Sequence, residues 1–265
     1  VSTGRTTRLN RLFAHPSGRL CSVAVDHYIG YGDGMPVGLR HLAPTIAALA
    51  AGRPDAITMH KGPAAHIWEP YAGTIPLILQ SCIVRPDDTA FEIVTTAEEA
   101  VRMGADAIAV VAFLRGPSEA GYLRLVTDVV RDAARFELPV ICHVYPRSFD
   151  GGPHIIFEPE DIAWAVRCAV ECGPDIVKVP YCGDLEAYRQ IVADCPTPLV
   201  AAGGPKTSTM LEALEVARNI IAAGARGATI GRNVWGFENV TGAVEAFKAV
   251  IHDLVPPAEA VRLAE

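Results

Sequence analysis

Asp175-Ile-Val-Lys178-Val-Pro-Tyr181 is a short β-branched run with one lysine near its end. The isoleucine and valines read as a buried strand, and Lys178 is the residue most out of place in it. An ammonium among β-branched neighbours loses hydration, so its pKa falls. A lysine lowered in this way is a nucleophile for carbonyl carbon, and the product is a Schiff base. A strand lysine that snorkels to solvent has no such role. The two readings are separated by what the rest of the chain brings to the same place.

The pattern of an apolar run closed by polar residues recurs on both sides of Lys178. Residues 20–25 end in Asp26-His27, 56–59 in His60-Lys61, and 75–79 in Gln80-Ser81. Residues 107–111 form a fourth run, and 139–143 a fifth that closes on His143 and leads to Tyr145. After the lysine strand, 198–202 leads into Gly203-Gly204-Pro205-Lys206, and 227–230 into Gly231-Arg232-Asn233. Apolar spacing predicts helices over 38–51, 97–103, 118–136, 158–171, 184–193, 207–223 and 239–254, with glycine-rich loops over 28–36 and 148–153. Eight strands, apolar on both faces and alternating with helices, predict an α/β fold, a (β/α)8 TIM barrel forming a single domain over residues 1–265. A doubly wound open sheet shares the alternation. The count of eight and the repeated polar ends favour the barrel.

Composition narrows the function. The chain has 265 residues, 50% hydrophobic and 20% charged, with a formal charge of −7. That balance argues against broad nucleic-acid binding, which needs a basic surface, but allows a local phosphate site. No apolar run is long enough for a membrane span. Residues 1–14 carry three arginines and no long apolar stretch, so no secretory signal is expected, and the missing initiator Met reads as a trimmed start. Seven cysteines without a CxxC pair read as free thiols, mostly buried, in a reducing cytoplasm.

Barrels collect their chemistry at the C-terminal ends of the strands. Gly203, Gly204 and Gly231 follow the last two strands, where glycine lets backbone N–H groups approach an anion closely, and Lys206 and Arg232 supply charge. These residues are expected to bind a phosphate. Tyr145 and Lys178 end adjacent strands and can share one pocket, with Tyr145 moving protons to and from a carbinolamine. Asp26 enters the mouth from the first strand, to orient a hydroxyl or take a proton. His27, Lys61 and His143 end other strands and are expected to contact substrate. A metal enzyme would draw on His27, His60, His66, His143 and His154, but no H-x-H or HExxH spacing occurs, and Lys178 would then have no role. No metal and no cofactor are expected.

At these residues the chain resembles the archaeal-type class I fructose-bisphosphate aldolases, a group that also contains aminodideoxyheptulosonate (ADTH) synthases and lies near the deoxyribose-phosphate aldolases. The matching segments are Val25-Asp-His27, His60-Lys-Gly62, Tyr145-Pro-Arg147, Asp175-Ile-Val-Lys178, Ala202-Gly-Gly-Pro-Lys206 and Ile230-Gly-Arg-Asn233. They run in family order over nearly the whole chain. The resemblance implies a Schiff-base lysine at Lys178, a proton-transferring tyrosine at Tyr145, a catalytic aspartate at Asp26, and a phosphate on Gly203, Gly204, Gly231 and Arg232. It also implies a metal-free lyase and a homo-oligomer, often a decamer in that family. Three departures stand on the substrate side: Tyr28 after Asp-His, Ser148-Phe149 after Tyr-Pro-Arg, and His143 where bisphosphate members often carry tryptophan. The expected activity is cleavage or formation of a C–C bond in a phosphorylated sugar, fructose 1,6-bisphosphate-like, releasing dihydroxyacetone phosphate. The alternative is an ADTH-synthase, transaldolase-like or thiolase-like reaction of another phosphorylated carbonyl compound at the same lysine.

Overall fold

Eight parallel strands close on themselves in the computed structural model, which describes residues 2–31, 34 and 36–265. Gly32, Asp33 and Met35, in the stretch expected to be a glycine-rich loop, lie outside the described residues. The barrel strands are β1 (Leu20–Ala24), β2 (Ala56–Met59), β3 (Leu77–Gln80), β4 (Ala107–Leu114), β5 (Val140–Ser148), β6 (Ile176–Pro180), β7 (Leu199–Ala202) and β8 (Gly227–Ile230). Each pairs with its neighbour in chain order, and β8 returns to β1. Helices between the strands cover the outside, as the (β/α)8 barrel requires. No helix among the described residues is long and apolar enough to cross a membrane.

The period of two along each strand decides which residues reach the site. On β1 the odd-numbered Cys21 and Val23 join the large cluster under the helices, whereas Leu20 belongs to a second, smaller cluster inside the barrel. The same parity puts Val177 and Val179 of β6 outside and Ile176 inside. Lys178 therefore points inward and is buried. Above the apolar layer of Leu20, Ala56, Ile78, Ile141 and Ile176 the interior turns polar: the Ser22 and Thr229 hydroxyls share a hydrogen bond of 2.8 Å, and Gln80, His143 and Lys178 stand above them.

Five features differ from the sequence expectation. A helix, Thr3–Leu12, precedes the barrel; its apolar residues are too few to announce it. Ser2 caps it by accepting from the Arg5 N–H, and Leu9, Leu12 and Phe13 close the apolar layer at the bottom of the barrel. The start of the stretch read as a loop after Asp26-His27, and the stretch after His60, given no element by the sequence, form short helices, His27–Tyr31 and Lys61–Ile67. β4 and β5 run to Leu114 and Ser148, because Ala112–Leu114 pair with Val144–Pro146 above the barrel rim, so Tyr145 stands within a strand instead of after one. The expected loop after Ser148 is the turn of a hairpin: Arg147 and Ser148 pair with His154–Ile155. A further antiparallel hairpin, Cys82–Val84 with Phe91–Ile93, rises from the end of β3.

The helical plug carries a measurable load. Leu12 is fully buried against the apolar layer. Leu12→Ala should lower the free energy of unfolding by about 2–4 kcal/mol. Urea titration followed by far-UV dichroism should show an earlier midpoint with an unchanged slope; an unchanged midpoint would mean that the plug does not contribute to stability.

Candidate active site

Lys178 sits in register with His143 on β5 and with Val200 on β7, so its side chain enters the barrel between the two strands. It borders two cavities that together form one cleft. One, of about 60 Å³, is lined by Asp26, His60, Gln80 and His143 and by Cys82, Val84 and Pro86 of the hairpin. The other, of about 260 Å³, is lined by Gly203, Gly204, Gly231 and Arg232. His27, Tyr145 and Lys178 belong to both. The β-strand ends thus bring together Lys178, Tyr145, Asp26, His27, His143, Gly203, Gly204, Gly231 and Arg232.

Two sequence candidates are placed elsewhere. The helix Lys61–Ile67 carries Lys61 away from the cleft, where its ammonium pairs at 2.6 Å with Glu99, the carboxylate of the next helix's capping box. Lys206 lies over the Phe237 ring, 3.7 Å from its centroid, and lines a third cavity behind the Gly203–Pro205 loop. Neither lysine lowers the pKa of Lys178. Burial lowers it from 10.5 to about 8, against the opposing pull of the Asp26 carboxylate. At pH 7 such a group is neutral in on the order of a tenth of molecules, enough to act as a nucleophile.

Asp26 is the charged partner. Burial alone would push its carboxyl up, but His27, Lys178, His143 and His60 together draw it down to about 2. Gln80 steadies it, with its amide nitrogen donating to Oδ2 at 2.9 Å. Burial lowers His27 to about 4 and lowers His60 and His143 as well, so the histidines around Asp26 are neutral at physiological pH. His66 and His154 are exposed away from them. Among the described residues no group of three or more His, Cys, Asp or Glu side chains is placed to hold a metal ion.

The larger cavity owes its floor to close backbone approach. A Cβ on Gly231 would lie 2.5 Å from the His27 ring, and Gly204 has φ of +69°, so both positions need glycine. Asn233, quoted in the sequence motif without a role, shapes this loop. Its amide nitrogen donates to the carbonyls of Gly203 (3.0 Å) and Pro205 (2.9 Å), and its oxygen accepts from the Thr207 N–H (2.9 Å). Arg232 Nη2 donates to the Gly204 carbonyl at 3.1 Å. Gln80 and Asn233 are positioning residues that sequence alone leaves unassigned, because an amide's role depends on which partners the fold supplies.

A closed parallel barrel whose mouth holds a buried, low-pKa lysine, an ionised aspartate and a tyrosine has the equipment of an enzyme acting on carbonyl compounds. The chain belongs to the DeoC/LacD aldolase family, whose model matches residues 20–236. It is 33% identical over 256 residues to the 2-amino-4,5-dihydroxy-6-oxo-7-(phosphonooxy)heptanoate synthase of Streptomyces griseus, covering 94% of this chain and 90% of that protein. It is 32% identical over 263 residues to the 2-amino-3,7-dideoxy-D-threo-hept-6-ulosonate synthase of Halobacterium salinarum, covering 98% and 96%. Among solved structures, an archaeal fructose 1,6-bisphosphate aldolase matches with a TM-score of 0.81 at 27% identity, over 94% of this chain and 99% of that one. An archaeal fructose-1,6-bisphosphate aldolase with its catalytic Lys covalently bound to the carbinolamine intermediate matches with a TM-score of 0.81 at 26% identity, over 94% and 99%.

The electrostatics give a signed prediction. The rate at which Lys178 reacts with a carbonyl probe should rise with pH through a midpoint near 8. Asp26 raises that midpoint, so Asp26→Asn should move it to lower pH. The profile is read from the rate of reductive trapping between pH 6 and 10. A midpoint near 10.5, or a shift upward in Asp26→Asn, would contradict this picture.

Proposed function

We propose that this protein is a class I aldolase that joins dihydroxyacetone phosphate to an aldehyde carrying no phosphate, or reverses that addition. The observation that carries the reading is the unequal charge of the two halves of the cleft around Lys178. The larger half offers Arg232 and the glycine turns to a phosphate. In the smaller half, among the described residues, Lys178 is the only lysine or arginine, and the wall carries the Asp26 carboxylate and uncharged histidines. A second phosphate, as in fructose 1,6-bisphosphate, would meet a carboxylate there with no cation beyond Lys178 to offset it. The compound in the Streptomyces relative's name supports the same division. It has a phosphonooxy group on C7, a ketone on C6 and hydroxyls on C5 and C4, the pattern left when dihydroxyacetone phosphate adds to an aldehyde.

In this reading neutral Lys178 attacks the ketone carbon of dihydroxyacetone phosphate and gives a carbinolamine. Tyr145 protonates the departing hydroxyl, water leaves, and the iminium forms. The Tyr145 phenolate left by that step takes the C3 proton, and the C3–H electron pair moves between C3 and C2 as an enamine. That pair attacks the aldehyde carbon, forming the new C–C bond, while the aldehyde oxygen takes up a proton as a hydroxyl. Water then hydrolyses the iminium and returns the lysine. Asp26, ionised and held by Gln80, orients the hydroxyls at the forming bond. The neutral histidines pack the aldehyde half without adding a competing positive charge.

The test varies the aldehyde with dihydroxyacetone phosphate held constant. At least one unphosphorylated aldehyde from a panel of glyceraldehyde and amino-acid semialdehydes should exceed glyceraldehyde 3-phosphate in kcat/KM by about tenfold or more. Product masses identify the new C–C bond. Preference for glyceraldehyde 3-phosphate would overturn the unphosphorylated-aldehyde reading, and no product with any aldehyde would overturn the aldolase reading.

A further inference from the structure

Arg147 is part of the Tyr145-Pro-Arg motif, yet it takes no place in the chemistry above. Its side chain is fully buried. The guanidinium donates from Nε to the Arg115 carbonyl (3.2 Å), from Nη1 to the Pro86 carbonyl (2.5 Å) and to Asp88 Oδ1 (2.7 Å), and from Nη2 to the Ser118 hydroxyl. Asp88 is held in turn by the Ser118 hydroxyl (2.7 Å) and the Tyr122 hydroxyl (2.9 Å). The rings of Tyr122 and Phe149 cover the guanidinium at 5.2 and 4.9 Å.

Burying an arginine is costly, and a buried ion pair is weak evidence for stability. The value of this one lies in what it ties together. Pro86 and Asp88 belong to the turn of the 82–93 hairpin, and Pro86 lines both halves of the cleft. The hairpin also supplies Cys82 and Val84 to the aldehyde half. Arg147 itself lies on β5, two residues beyond Tyr145. Two of the residues it grips, Asp88 and Arg115, have left-handed backbone, with φ of +62° and +64°. Non-glycine residues stay in that region only where their surroundings over-determine them, and such strain collects near functional sites.

We propose that Arg147 is a positioning residue that latches the 82–93 hairpin over the aldehyde half of the cleft, in register with Tyr145. The latch sets the depth of that half. Among the described residues, the glycine loops after β7 and β8 that form the floor of the ketone half make no contact with it, and Pro86 is the one latched residue that reaches that half. This deepens the proposed aldolase reading and rests on its division of the cleft.

Arg147→Lys keeps the charge but loses the planar fork that reaches four partners at once. Asp88→Asn keeps the shape but removes the counter-charge. Both variants should raise KM for the aldehyde about tenfold or more, since a displacement of about an ångström at a reacting pair is enough for such losses. Exchange of the C3 proton of dihydroxyacetone phosphate with deuterium, which needs Lys178, Tyr145 and the ketone half but no bound aldehyde, should stay within about twofold of wild type. Deuterium exchange of the hairpin amides over 82–93 should quicken while the barrel strands stay protected. An aldehyde KM within about twofold of wild type in both variants, or both partial reactions falling together, would overturn the proposal. If wild type fails to exchange the C3 proton, the aldolase reading falls instead. The hairpin amides then still decide whether Arg147 is a latch, and unchanged exchange there rejects it. Asp88→Asn and Ser118→Ala serve if Arg147→Lys does not fold.

Discussion

An amine inside a parallel barrel cannot keep its water. Lys178 is brought there by strand parity, between Ile176 below and Pro180 above, and the barrel offers one carboxylate to replace its lost hydration. The compensation is partial. Lowering the ammonium from 10.5 to about 8 corresponds to about 3 kcal/mol in favour of the neutral amine. The remaining arrangement follows from this. Asp26 has to be ionised to hold the lysine near 8, Gln80 has to hold Asp26, and the surrounding histidines have to stay uncharged. A cationic histidine in their place would lower the lysine further and share the carboxylate.

Around that centre the barrel separates two tasks in space. The loops after β7 and β8 form a glycine floor, stapled by Asn233, on which backbone comes close to the cleft. Opposite it, the extension of β5 and the hairpin after β3 build a wall that the barrel alone does not supply. The floor uses the Gly-Gly-Pro-Lys and Gly-Arg-Asn segments that the chain shares with its family pattern, whereas the wall carries the departures at His143 and Ser148-Phe149. The glycine floor and the departures from the family pattern thus lie on different elements, while Tyr145 stands on the wall strand between His143 and Ser148.

Much of this was legible in the sequence because it depends on short-range pattern. Strands of Val, Ile and Ala with polar ends repeat at βα spacing, and a period of two within Asp175–Tyr181 suffices to point Lys178 inward. What was not legible depends on partners distant in sequence. Cys82–Val84, given no element by the sequence, becomes a strand only because Phe91–Ile93 folds back on it. The N-terminal helix has little amphipathic signal and is held by the open bottom of the barrel. Lys61 follows a strand end like the other candidates, yet a helix begins at it and turns it to Glu99, 38 residues away. The pKa of Lys178 shows the same limit: sequence predicts that burial lowers it, but not that Asp26, rather than a neighbouring lysine, sets how far.

The central claim is that Lys178 is the nucleophile. Incubation with dihydroxyacetone phosphate followed by borohydride reduction, digestion and mass mapping tests it directly. The account predicts a reduced adduct on the peptide containing Lys178, and no adduct at that position when the same treatment is given to Lys178→Ala. An adduct on another lysine, or none on wild type under conditions where the protein turns over, would contradict it.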